Sequence, residues 1–158
     1  MAIRAIPKKS INAVEIIVEA DDALDLENSD YEEYRKTGDI THLKFIPDAQ
    51  PTVFLCNFTL KGREAEYIKN SMIGGKDEDG TPKVALGSWQ HRVVKYCLKD
   101  IRQPETLTVE DRIKFKKDKD GYVHEDTIAD LEQLGITSEI FAVYSILVLG
   151  SHKTAAKN

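Results

Sequence analysis

Thr41-His42-Leu43-Lys44-Phe45-Ile46, then Pro47-Asp48-Ala49-Gln50, then Pro51-Thr52-Val53-Phe54-Leu55-Cys56-Asn57-Phe58 is the stretch on which the fold reading turns. The first run alternates polar and apolar residues, and the last is rich in β-formers. The four residues between them are turn chemistry, so the pair predicts a β-hairpin. Upstream, Ala13-Val14-Glu15-Ile16-Ile17-Val18-Glu19 carries enough β-branched side chains to predict a further strand.

Downstream the apolar period lengthens. Ala65, Ile68 and Met72 recur at helical spacing in residues 62–72, after a capping residue at Thr59 and before Gly74-Gly75. A second helix is expected from Ser88, with Trp89, Val93, Tyr96, Cys97 and Asp100 on one side and Val94, Leu98 and Ile101 beside them, ending before Pro104. Residues 113–123 alternate around Lys119-Asp120-Gly121, a hairpin-like turn signal. A helix over 125–134 closes at Gly135, and a last helix, capped by Thr137 or Ser138, runs to Leu149. The expectation is one α+β domain over residues 1–150, a small antiparallel sheet or hairpin packed against several helices, with a polar tail at 151–158.

The 158 residues suffice for one sizeable core, and with 41% hydrophobic and 31% charged residues the chain has a globular composition. A net charge of −5 argues against nucleic acid as a partner. No apolar run reaches the roughly 18 residues of a membrane span, and residues 1–9 lack a signal-peptide core. No membrane role is expected. Cys56 and Cys97, far apart in apolar surroundings, read as buried free thiols of a protein folded in a reducing cytoplasm.

Chemical motifs fail on their spacing. Asp118-Lys119-Asp120-Gly121 resembles the middle of a calcium loop, yet it puts Lys116 where the first carboxylate is needed and Thr127 where the bidentate glutamate should be. Asp77-Glu78-Asp79-Gly80 fails likewise, with Gly75 and Leu86 at those positions. His42, His91, His124 and His152 stand singly, without zinc-ligand spacing. Neither a nucleophile elbow nor a phosphate-binding glycine loop occurs. No catalytic residue, metal site or cofactor is expected.

Residues 21–34 do stand out: an acidic run carrying Leu24, Leu26, Tyr31 and Tyr34. It reads as a solvated loop with core anchors, or as a docking segment in which tyrosines supply contact area and carboxylates steer a basic partner. Trp89, at the head of an amphipathic helix, is either core or interface. Lys114-Phe115-Lys116-Lys117 is a basic counter-patch, and patches of both signs suit head-to-tail self-association into a homo-oligomer.

The order of these elements resembles small accessory proteins of tailed bacteriophages, encoded among virion and tail-assembly genes. The likeness covers about residues 40–149: Leu43-Lys44-Phe45-Ile46 leading to Pro51-Thr52-Val53-Phe54-Leu55, then Phe58-Thr59-Leu60-Lys61-Gly62-Arg63-Glu64 opening a helix. The helix with Trp89 and Val93-Val94-Lys95-Tyr96-Cys97-Leu98-Lys99-Asp100 follows, and then the pair ending Glu139-Ile140-Phe141-Ala142-Val143-Tyr144. The acidic stretch and the 114–122 turn fall outside that pattern. The resemblance implies a non-catalytic virion structural or assembly protein, located in the virion or in the host cytoplasm during assembly. Its partners would be tail, connector or capsid components. A transient tail-assembly chaperone is the nearest alternative. A small enzyme or inhibitor, with a site built from residues distant in sequence, is the alternative from another class.

Overall fold

A computed structural model of the chain describes residues 11–71, 73–76, 82–84 and 86–150. The acidic loop at 77–80 and the tail at 151–158 lie outside the described residues. The fold is α+β, with five α-helices and a small antiparallel sheet among the described residues. Strands β1 (Val14–Ile16), β2 (Val53–Cys56) and β5 (Leu98–Arg102) pair antiparallel with β2 in the middle. A separate two-stranded ribbon joins β3 (Ile73–Lys76) to β4 (Pro82–Val84).

The sheet follows from alternation. Val14 and Ile16 on β1, Phe54 and Cys56 on β2, and Leu98 and Ile101 on β5 are buried on one face. Lys99 is the extra residue of a β-bulge, since Leu55 pairs with Asp100 while Cys56 pairs with Leu98. On the other face Arg102 reaches Glu15 as an ion pair. Against the buried face pack α3 (Leu86–Cys97), α4 (Glu125–Gln133) and α5 (Ile136–Tyr144), which supply Val93, Val94, Ile128, Leu131, Ile140 and Val143. Helix α5 runs on as a π-helical turn, Ser145–Gly150, so helix extends through Leu149 as its apolar content predicts.

The hairpin does not form. Asp39 accepts from Thr41 N at 3.0 Å, holding Ile40–His42 in a 3₁₀ turn. Residues 43–46 then pair with 23–25, through Asp25 N to Lys44 O at 2.9 Å, Ile46 N to Ala23 O at 2.9 Å and a Leu24–Phe45 bridge. The turn is real, with Ala49 N bonded to Ile46 O at 3.1 Å, but it does not join two strands of one ladder. Four further expectations shift. Helix α2 (Arg63–Asn70) is capped by Gly62 at φ +65° and not by Thr59. That helix ends at Asn70, short of Gly74-Gly75, which lie in β3. Helix α3 begins at Leu86, ahead of Ser88, and stops at Cys97, so Leu98 and Ile101 belong to a strand.

The Asp118–Gly121 turn is as expected: Gly121 N bonds Asp118 O at 3.1 Å, and a Lys117–Val123 bridge closes it. Asp118 Oδ1 accepts from Asp120 N and Tyr122 N at 2.8 and 3.0 Å, so this carboxylate holds the turn itself. The segment before it hangs on buried Thr127, whose hydroxyl donates to Lys114 O at 2.8 Å and accepts from Lys116 N at 2.9 Å. Thr127→Val keeps the shape and strands both backbone groups, so it is expected to cost about 2 kcal/mol in a urea titration. An unchanged midpoint would show that water replaces the hydroxyl.

Candidate functional site

Helix α1 (Tyr31–Thr37) is the first of two places where polar groups converge. Asp30 caps it by accepting from Glu33 N at 3.1 Å, and Gly38 ends it at φ +69°. This puts Tyr31 and Tyr34, one turn apart, against the outer edge of β1. Val14 and Ile16 face β2, so the backbone groups of Glu15 and Ile17 point away from the sheet. Tyr34 Oη donates to Glu15 O at 2.6 Å and accepts from Ile17 N at 2.9 Å, while Tyr31 Oη donates to Ile17 O at 2.8 Å. Two phenols thus stand where a neighbouring strand would bond, which silences an edge that would otherwise invite pairing.

The residues singled out in this region divide. Tyr34, at 0% exposure, and Leu24 are interior, and with Ile17 and Leu43 they form a second hydrophobic cluster apart from the main core. Both are anchors in this fold and offer no surface to a partner. Leu26 is exposed at 44%, and Tyr31 is half-buried. Burial, with Glu139 adding and Arg35 opposing, pushes the Tyr31 phenol up to about 12. Burial raises Tyr34 further. Arg35 lies over the Tyr31 ring at 5.1 Å and contacts Glu19 and Glu139, each at 3.5 Å. Trp89 is half-buried and packs edge-on against Phe141 at 4.9 Å. Its indole N–H is buried with the Tyr144 hydroxyl beside it, short of hydrogen-bond geometry.

The second place is an open cleft of about 840 Å³ across α2, α3 and α4, which the sequence does not single out. Its walls include Tyr67, Ser88, His91, Arg92, Tyr96 and Glu125. A shallower recess of about 330 Å³ shares Tyr67, Lys95 and Tyr96 and adds Arg63, Asp120 and Tyr122. Three tyrosines run side by side, with Tyr67–Tyr96 centroids 5.8 Å apart and Tyr96–Tyr122 4.8 Å apart. Lys95 Nζ sits 5.7 Å from the Tyr96 ring, and Arg92 donates to Tyr67 O at 2.8 Å. Tyr122 Oη donates to Glu64 at 2.6 Å, which raises the phenol to about 12 and lowers the Glu64 carboxyl. The i, i+3, i+4 spacing of Ser88, His91, Arg92 and Lys95 could have flagged one polar face of α3. The partners on α2 and α4 could not have been read from it.

His91 Nε2 lies 2.8 Å from Glu125 Oε2 in this cleft. A histidine–glutamate contact can relay a proton, but a general base also needs a nucleophile or substrate within reach. The Glu125 side chain is 65% exposed and Ser88 is exposed, so the contact sits in water without an activated hydroxyl beside it. His124 does not join it: its Nδ1 accepts from Asp126 N at 3.1 Å and caps α4. Among the described residues no three His, Cys, Asp or Glu side chains are grouped to hold a metal ion. Compared with known families, curated proteins and solved structures, the chain matches none of them.

Proposed function

We propose that this chain is a non-catalytic binding protein, that the tyrosine-lined cleft is its partner surface, and that its partners are tail, connector or capsid components of a tailed phage. The carrying observation is the Tyr67–Tyr96–Tyr122 row, in which buried Tyr96 backs an exposed Tyr67 by a tilted contact and a half-buried Tyr122 edge-on, beside an open, polar-walled surface. Tyrosine gives large contact area with few rotatable bonds, which is why it is enriched where proteins bind one another. The phage assignment rests on the resemblance in element order. Strand addition at β1 is not the binding mode of this closed conformation, because the tyrosine hydroxyls occupy that edge.

The test places a photocrosslinking residue at Tyr67 or, as a remote control, at Val109, which is 78% exposed. Adducts are read in virus-producing cells and in purified particles by mass spectrometry. An adduct to one virion protein from position 67 and not from 109 is expected. The same adduct in cells but not in particles would favour the chaperone. No position-dependent adduct overturns the reading. The enzyme alternative draws on the His91–Glu125 contact alone, and it requires His91→Gln to abolish a turnover that the wild type shows.

A further inference from the structure

The covered edge of β1 carries an inference about how copies of this chain meet. The segment between β1 and β2 packs Leu24, Tyr34 and Leu43 against Ile17 at the end of β1, in a small hydrophobic cluster separate from the main core. Its two ends are clasped, since Thr52 N donates to Asp21 Oδ2 at 2.8 Å across 31 residues of chain. It meets the rest of the fold through the two phenols on β1, Val53 of β2 against the cluster, Arg35 on Glu139, and α1 against α5 and the 145–150 turn, where Gly38 lies beside Leu147 and Val14. Positions 19, 21, 22, 25, 27, 30, 32 and 33 are all carboxylates, with no lysine or arginine between them; Arg35 on Glu19 and Lys36 on Glu32 offset part of that charge, and the remainder repels itself. A segment with adjacent ends and a surplus of like charge, held down by one small cluster, sits at the low-stability end of a fold and can open by itself.

We propose that residues 19–51 are a hinged cover over β1, and that the uncovered edge pairs with the β1 edge of a second copy. The outward backbone groups belong to Glu15 and Ile17, two residues apart. A two-fold axis through Ile16 therefore places Glu15 of one copy opposite Ile17 of the other, and the same edge meets itself in an antiparallel pair. Each hydrogen bond of the new ladder replaces a bond to a tyrosine hydroxyl. The cover is thus an autoinhibitory contact, and the state of α1 sets the oligomeric state.

The experiment compares the wild type with a Tyr31→Phe/Tyr34→Phe double variant by hydrogen exchange and by light-scattering mass over a range of concentrations. The variant keeps both rings in the cluster and removes the three bonds to β1. Exchange over residues 14–17 and 20–51 is expected to quicken by about fivefold to tenfold per hydroxyl removed. Exchange in α3, β5 and α5 stays slower than over residues 20–51, and the mass rises from one copy to two with concentration. Residues 20–51 exchanging no faster than α3, β5 and α5 would overturn the cover as a unit. Faster exchange at 14–17 with a one-copy mass at every concentration would overturn the pairing. If the double variant does not fold, Asp21→Asn loosens the clasp with the cluster intact and gives the same two readings.

Discussion

Tyr34→Ala is expected to lower the stability of the fold by about 3–5 kcal/mol in a urea titration, the range for deleting a buried aromatic ring. The ring is fully enclosed among Ile17, Leu24 and Leu43, and its hydroxyl satisfies two backbone groups of β1. Truncation opens a cavity and strands Glu15 O and Ile17 N together. Tyr34→Phe separates the two effects: the ring stays, and the loss falls to about 1–3 kcal/mol for the unpaired polar groups. Leu26→Ala, eight positions before Tyr34 in the same acidic run, is the control, because Leu26 is already 44% exposed. Its effect should stay within about 0.5 kcal/mol. A Tyr34→Ala variant no less stable than Leu26→Ala would mean that the second cluster contributes nothing to folding.

The residues that deceive a sequence reading here do so for physical reasons. Tyr31 and Tyr34, with carboxylates on either side, carry the composition of an exposed contact segment. Their actual work is to replace a missing strand, a role set by a β1 edge some 15 residues upstream. The 41–58 stretch has correct local chemistry for strands and a turn, but Asp39 diverts its first part into a 3₁₀ turn and residues 23–25 take what remains. The end of α3 is the clearest case. Periodicity runs smoothly through Leu98 and Ile101, and nothing local stops the helix before Pro104. The structure stops it with donors from elsewhere: Val123 N bonds Lys95 O at 3.3 Å and Asn57 N bonds Cys97 O at 2.8 Å, while Lys99 Nζ folds back onto Tyr96 O at 2.9 Å. Tertiary donors consume the last carbonyls, and β2 offers the following residues a ladder.

What was legible is what depends on neighbours in sequence: the α+β class, the Gly135 break between α4 and α5 at φ +73°, the Gly121 turn at φ +86°, and the burial of both cysteines. The cleft was not legible. Tyr67, Tyr96 and Tyr122 lie on a helix, a second helix and a loop; α2 packing on α3 brings Tyr67 to Tyr96, and Tyr122 joins them where Val123 bonds the end of α3.

The same buried groups give the chain a marked sensitivity to alkali. Burial pushes the Cys97 thiol up to about 12 and the Cys56 thiol well above its ordinary value. It also raises Tyr31 to about 12, and Tyr34 and Tyr144 above the ordinary phenol value. In the unfolded chain a thiol loses its proton near pH 8.5 and a phenol near pH 10. Between those values and the folded ones the native state holds more protons than the unfolded state, so stability falls as pH rises. It is fully present below about pH 8.5, declines first through the thiols, and steepens past about pH 10 as the phenols join. Cooperative unfolding is expected between about pH 10 and 12, with part of the tyrosinate absorbance developing only in that step. Cys97→Ala should flatten the decline between about pH 8.5 and 10 and leave the later, phenol-driven part in place. A urea midpoint that stays level from pH 8 to about 11 would mean that these groups ionise without unfolding the chain, and that the interior around Tyr34 and Cys97 admits water.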